Sequence, residues 1–150
     1  VEGQSYRASD VVCNLDKGQF SLDMSGAYAD SASCNSWKRS YELSLKGEPS
    51  LIIKDSYSLS GRTQADVEHF LVKGEVETGD GWLIVHADNG VTVKMTYPRG
   101  LKVTVETRPL EDMSLITDWG CEKLQRISLS SSTNAPLRGS YVFKIAEVKD

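Results

Sequence analysis

At 150 residues, the chain has the length of one domain and can bury a sizeable core; 39% hydrophobic and 25% charged residues exclude a disordered chain. The net charge of −4 argues against a nucleic-acid binder, which neutralises phosphates with clustered Lys and Arg. No run of about 18 apolar residues occurs, so no helix is expected to span a membrane.

The chain opens Val1-Glu2-Gly3-Gln4, without an initiator Met or a signal-peptide pattern, the start expected of a processed product or a piece of a longer protein. Val11-Val12-Cys13 is the first strand-like run. Residues 25–30 hold at most a turn of helix, interrupted by Gly26. From Trp37 the pattern alternates through Leu45, placing Trp37, Arg39, Tyr41, Leu43 and Leu45 on one face. Residues 64–71 read as a strand flanked by turn residues, and Trp82-Leu83-Ile84-Val85-His86 as another. Val91, Val93, Met95 and Tyr97 share one face of the next run, and Leu101-Lys102-Val103-Thr104-Val105-Glu106 follows after a short turn. Residues 109–118 lack alternation and are expected to form a long loop with at most one helical turn. Tyr141-Val142-Phe143-Lys144-Ile145 completes the series.

Turn signals punctuate these runs: Asp16-Lys17-Gly18, Lys46-Gly47-Glu48-Pro49, Ser60-Gly61-Arg62, Thr78-Gly79-Asp80-Gly81, Asp88-Asn89-Gly90 and Pro98-Arg99-Gly100. Asp88-Asn89-Gly90 is the strongest hairpin signal. Roughly ten strands with one apolar and one polar face predict an all-β fold, an antiparallel β-sandwich or a barrel. Neither a repeat nor a Pro/Ser-rich linker divides the chain, so residues 1–150 read as a single domain.

Groups able to do chemistry are sparse. Cys13, Cys34 and Cys121 are far apart, with no zinc-ligand spacing. They read as small buried hydrophobes, the alternative being one disulfide with a leftover thiol. His69 and His86, the two histidines, both fall in strand-like runs and read as structural. Asp23, Asp55, Asp112 and Asp118 would resemble a glycosidase pair only if two of them met in space; turn capping and solvation explain them. No hydrolase, zinc-protease or phosphate-loop motif occurs. Neither catalytic residues nor a metal or cofactor is therefore expected.

The most informative stretch is Trp37-Lys38-Arg39-Ser40-Tyr41. Aromatic rings stack on sugar faces, and Arg grips carboxylate or sulfate through its fork. Alternatively, Trp37 and Tyr41 are core residues with Arg39 packed over them by cation–π contact. The apolar continuation through Leu43 and Leu45 favours the second reading.

In order along the chain, Tyr6-Arg7-Ala8-Ser9-Asp10-Val11-Val12, Asp23-Met24-Ser25-Gly26-Ala27-Tyr28, Ser36-Trp37-Lys38-Arg39-Ser40-Tyr41, Ile52-Ile53-Lys54-Asp55-Ser56-Tyr57, Asp118-Trp119-Gly120 and Leu124-Gln125-Arg126-Ile127-Ser128-Leu129 resemble the β-sandwich of heparinase II/III-like polysaccharide lyases. The resemblance implies a C-terminal sandwich behind an upstream α/α-toroid, in a parent enzyme that cleaves acidic, uronate-containing polysaccharides by β-elimination. In that family the acid–base groups lie mostly on the toroid, with a His from a stretch ahead of the first motif. That stretch has no counterpart here, because His86-Ala87-Asp88-Asn89 comes too late in the motif order. The resemblance thus implies a non-catalytic or accessory domain, periplasmic or secreted. Tyr28, Trp37, Arg39 and Asp55 match its motifs and read first as structural, while Tyr6 and Arg7 lie nearest the missing stretch. Tyr6, Arg7, Trp37 and Arg39 are the candidate glycan contacts. A free-standing carbohydrate-binding or adhesion module is the rival reading, and exposed, coplanar Trp37, Trp82 and Trp119 would mark it.

Overall fold

The computed structural model describes residues 5–148; the opening residues 1–4 lie outside that range. Eleven strands run β1 (Ser9–Asn14), β2 (Gln19–Asp23), β3 (Cys34–Ser44), β4 (Ser50–Leu59), β5 (Val67–Val72), β6 (Glu75–Gly79), β7 (Trp82–His86), β8 (Thr92–Thr96), β9 (Lys102–Pro109), β10 (Lys123–Ser130) and β11 (Arg138–Glu147), with one short helix, α1 (Met113–Trp119), between β9 and β10. They form two antiparallel sheets, an eight-stranded one ordered β1-β2-β3-β4-β11-β8-β7-β6 and a three-stranded one ordered β5-β10-β9. This is the all-β fold that the alternation predicts, in the sandwich form that the resemblance implies.

Side chains alternate across each pleat, so register decides who meets whom in the core. Trp37, Arg39 and Tyr41 on β3 stand opposite Tyr57, Asp55 and Ile53 on β4. Across the other edge of β4, Asp55 and Ile53 face Tyr141 and Phe143 of β11. Ile127 and Leu129 of β10 join Trp37, Ile53, Tyr57, Leu83, Met95 and Phe143 in one hydrophobic cluster, which closes the sandwich. Phe70 of β5 meets Phe143 edge-on, with ring centroids 5.3 Å apart.

The turn chemistry behaves as read. Asp80-Gly81 joins β6 to β7 with Gly79 opposite Trp82, and the Asn89-Gly90 turn joins β7 to β8 with His86 opposite Thr92. Pro98-Arg99-Gly100 does something different: it carries the chain from β8 in the large sheet to β9 in the small one. Gly61 and Arg62 lie in a second such crossing, between β4 and β5. Residues 25–30 contribute one single 3₁₀ turn, Ser25–Ala27, and the start of a second, Asp30–Ala32.

Two expectations are corrected. Residues 109–118 are expected to be a loop with one turn at most, yet α1 is a seven-residue helix. The Asp112 side chain accepts from Ser114 N at 2.7 Å at its N-terminus, and Gly120 ends it in a left-handed conformation. A helix of two turns is too short to display the 3.6-residue period, so its caps were the legible signal. Nor are the cysteines buried hydrophobes: all three are unpaired, Cys13 is exposed, and Cys34 and Cys121 are half-buried. Cys13 faces Phe20 on β2, which in turn faces Tyr41. It therefore lies on the inner face, but where eight strands outreach the cover that three provide. Phe20 and Leu43 are exposed for the same reason.

No helix among the described residues is long and apolar enough to cross a membrane.

Candidate functional site

At one end of the sandwich the inner face opens into a cavity of about 400 Å³, lined by Tyr28, Trp37, Arg39, Arg62, Asp66 and Glu68 among others. Its floor is built on the register of β3 and β4. Asp55, with none of its surface exposed, accepts from Trp37 Nε1 at 3.0 Å, Arg39 Nε at 2.7 Å and Arg39 Nη2 at 2.5 Å. Arg39 Nη2 also reaches Glu68 Oε2 on β5 at 2.5 Å, tying the two sheets together.

The charges are unevenly held. Hydrogen bonds from Arg39 to Asp55 raise the guanidinium's pKa against the opposing effect of burial, with Glu68 adding to the rise. Burial first, and the adjacent Asp55 carboxylate second, push the Glu68 carboxyl up to about 7 although Arg39 pulls the other way. One cation thus serves two carboxylates, and Glu68 is the less well served.

Beside this cluster, Trp37, Tyr57 and Tyr141 stack in series, with centroids 5.2 Å and 5.1 Å apart. The guanidinium of Arg62 lies 5.7 Å from the Tyr57 ring centroid. Arg62 Nη1 pairs with Asp66 Oδ1 at 2.5 Å, Arg62 Nη2 donates to Pro136 O at 3.0 Å, and Tyr141 Oη donates to Asp66 Oδ2 at 2.8 Å. The cation over the rings is therefore Arg62. Arg39 does not pack on Trp37 and Tyr41 as the pattern suggested, because its register places Asp55 directly opposite.

A second cavity, about 430 Å³, adjoins the first and shares Tyr28 and Cys34 with it; Tyr6, Ser25 and Ser60 are among its other lining residues. Both ends of the candidate list thus fall in one neighbourhood: Trp37 and Arg39 in the first cavity, Tyr6 in the second. Arg7 is exposed, and its backbone N donates to Gly26 O at 3.1 Å. Tyr28, 46% exposed, tilts towards Trp37 at 6.4 Å and stands between the two cavities. Glu68, Arg62 and Asp66 carry no motif, so their place in the site was not readable from the chain.

The remaining candidates stay apart. His69 lies on β5 with Nδ1 3.0 Å from Ser128 Oγ, and exposed His86 lies on β7 with Nε2 2.9 Å from Glu77; neither lines these cavities. Asp23 receives Ser25 N at 2.9 Å, Ser36 Oγ at 3.3 Å and Trp37 N at 3.4 Å. Burial alone would raise its pKa, but these hydrogen bonds hold the carboxyl below its usual value. Asp23 ties a turn, Asp55 is taken up by Trp37 and Arg39, and Asp112 caps the helix that carries Asp118. Trp37 lies on the inner face. Trp82, next to buried Leu83, points the other way, with Lys94 5.8 Å from its ring. Trp119 is on α1, so the three indoles form no common platform. Among the described residues no group of three or more His, Cys, Asp and Glu side chains is arranged to hold a metal ion.

No family model and no curated protein matches this chain. Solved structures do. One of a heparinase III gene product covers 87% of this chain and 19% of its own length, with TM-score 0.62 and 17% identity. Another, of the same product with methylated lysines, covers 88% and 19%, with TM-score 0.63 and 16% identity. At such identities the likeness is one of fold, and this chain spans about a fifth of the length of those structures.

Proposed function

We propose that this chain is the β-sandwich of a polysaccharide lyase acting on acidic, uronate-containing glycans, an accessory domain that follows an α/α-toroid and does not itself perform the chemistry. The observation that carries this reading is the fold, shared over nearly the whole chain with part of a heparinase III. The ordered motifs lend support, since Asp55 and Trp37, which belong to them, are joined by a hydrogen bond at the heart of the sandwich. So does the exposed inner face at Phe20 and Leu43, which suits a neighbouring domain. In this reading Tyr6, Arg7 and the ring of Tyr28 contact glycan at the rim, while Trp37 and Arg39 position that rim from below. β-Elimination needs an acid–base pair and a group that neutralises the uronate; in this reading the rest of the enzyme supplies them, and the distance of both histidines from the cavities supports it. Action on large acidic glycans goes with a periplasmic or secreted location.

The test is a panel of acidic polysaccharides, followed by the ultraviolet absorbance of the unsaturated uronate product. The chain alone is expected to be silent and the full-length gene product active. Turnover by the chain alone would overturn the accessory role, and a full-length product inert on every uronate glycan would overturn the lyase.

A further inference from the structure

The cavity over Arg39 carries a charge pattern at odds with an acidic ligand. Arg39 and Arg62 face Glu68 and Asp66 on its walls, and Asp55 lies behind them, so three carboxylates confront two guanidiniums. Both guanidiniums are committed, Arg39 to Asp55 and Glu68 and Arg62 to Asp66. A uronate or sulfate entering here would lose its hydration without gaining a free cation, a costly exchange in a partly enclosed space.

The same walls retain unmet hydrogen-bonding capacity. Glu68 Oε2 takes Arg39 Nη2 at 2.5 Å, and that same nitrogen also serves Asp55. Arg62, its side chain only 3% exposed, keeps Nε buried without an acceptor. At the mouth stand the half-exposed Tyr28 ring, a surface for the C–H face of a sugar, and Gln64 and Thr63. The volume suits one small ligand rather than a chain.

We propose that this cavity is a subsite for a single hexosamine residue whose free amino group, as an ammonium, pairs with Glu68 while its ring lies against Tyr28. The sugar part of this inference rests on the glycan-facing reading above; the preference for a cation rests on the charges alone. An ammonium supplies the third positive charge that Asp55, Glu68 and Asp66 lack. It also holds ionised a carboxyl that burial otherwise brings to about 7.

Three glycosides of one ring separate the outcomes in calorimetric and Trp-fluorescence titrations: methyl glucosaminide, methyl N-acetylglucosaminide and methyl glucuronide. The glucosaminide is expected to bind in the millimolar range usual for a small polar ligand, at least tenfold tighter than the other two. Glu68→Gln should abolish that preference. Because Glu68 is also structural, Tyr28→Ala at the half-exposed mouth serves as a second variant, expected to weaken the glucosaminide about tenfold with an unchanged near-ultraviolet spectrum. Equal or tighter binding of the glucuronide overturns the proposal, as does the absence of any binding or a preference indifferent to Glu68→Gln. The titration reads binding and the polysaccharide assay reads turnover, so each reading fails without the other.

Discussion

Arg39 and Asp55 stand directly opposite one another on β3 and β4, and the fully buried carboxylate takes both Nε and Nη2 of the guanidinium. Such a fork-to-fork pair is specific in geometry. Buried ion pairs are weak evidence of net stability, but losing one partner strands the other charge. Arg39→Ala leaves the buried Asp55 carboxylate, and Glu68 beside it, without their cation, and should therefore destabilise by about 3–5 kcal/mol, read as a lowered urea midpoint. A double-mutant cycle with Asp55→Ala should return a large coupling, because the second truncation removes the stranded carboxylate.

Glu68 gives the fold a pH dependence of definite sign. Its folded pKa, about 7, lies above the ordinary 4.5, so between those values the folded state holds the extra proton. Its contribution is fully present below about pH 4.5 and is lost as pH rises through 7. Arg39, Asp55, Tyr28 and Asp66 share this end of the molecule and set the background. Glu68→Gln should flatten the fall in stability across that window, by on the order of 2 kcal/mol, in thermal melts at pH 5 and 8.

Tyr141 links the core to the second charged pair through its 2.8 Å bond to Asp66. Tyr141→Phe keeps the stacked ring and removes only the donor. A loss of about 1–2 kcal/mol is expected, measured by chemical denaturation.

Gly74 and Gly47 both have positive φ, 132° and 73°, but their surroundings differ. A Cβ at Gly74 would collide with the His86 carbonyl oxygen and the Ala87 backbone, whereas one at Gly47 would meet nothing. Gly47→Ala should cost about 1 kcal/mol, the left-handed strain alone. Gly74→Ala should cost at least twice that, roughly 2–4 kcal/mol, a ratio that thermal melts resolve.

The thiols should separate kinetically. Exposed Cys13 reacts first with an aromatic disulfide reagent under native conditions. Half-buried Cys34, whose pKa is raised by burial and then by the Asp23 charge, reacts more slowly, because the thiolate is the nucleophile. All three should titrate in denaturant.

Strand content, the polar and apolar faces and the hairpins at Asp80-Gly81 and Asn89-Gly90 were legible along the chain. Each rests on local chemistry: a two-residue side-chain period and glycines free to take positive φ. Helix α1 was missed because two turns are too few for a helical period to emerge from residues 109–118. The exposure of Cys13 was missed for another reason. Its neighbours Val11 and Val12 look like any strand, and only the unequal widths of the two sheets leave that end uncovered.

The site divides in the same way. Trp37 and Arg39 were conspicuous as an aromatic and a cation on one strand face, and that face does point inward. What Arg39 does there depended on partners 16 and 29 residues away. One is fixed by the register of β3 on β4, and the other by the crossing that lays β5 over them. The sequence by itself determined that the chain is all-β, since alternation is a local property read within a single strand. The tertiary structure alone decided that Arg39 is spent on Asp55 and Glu68, since burial and charge pairing depend on which strands the fold makes neighbours.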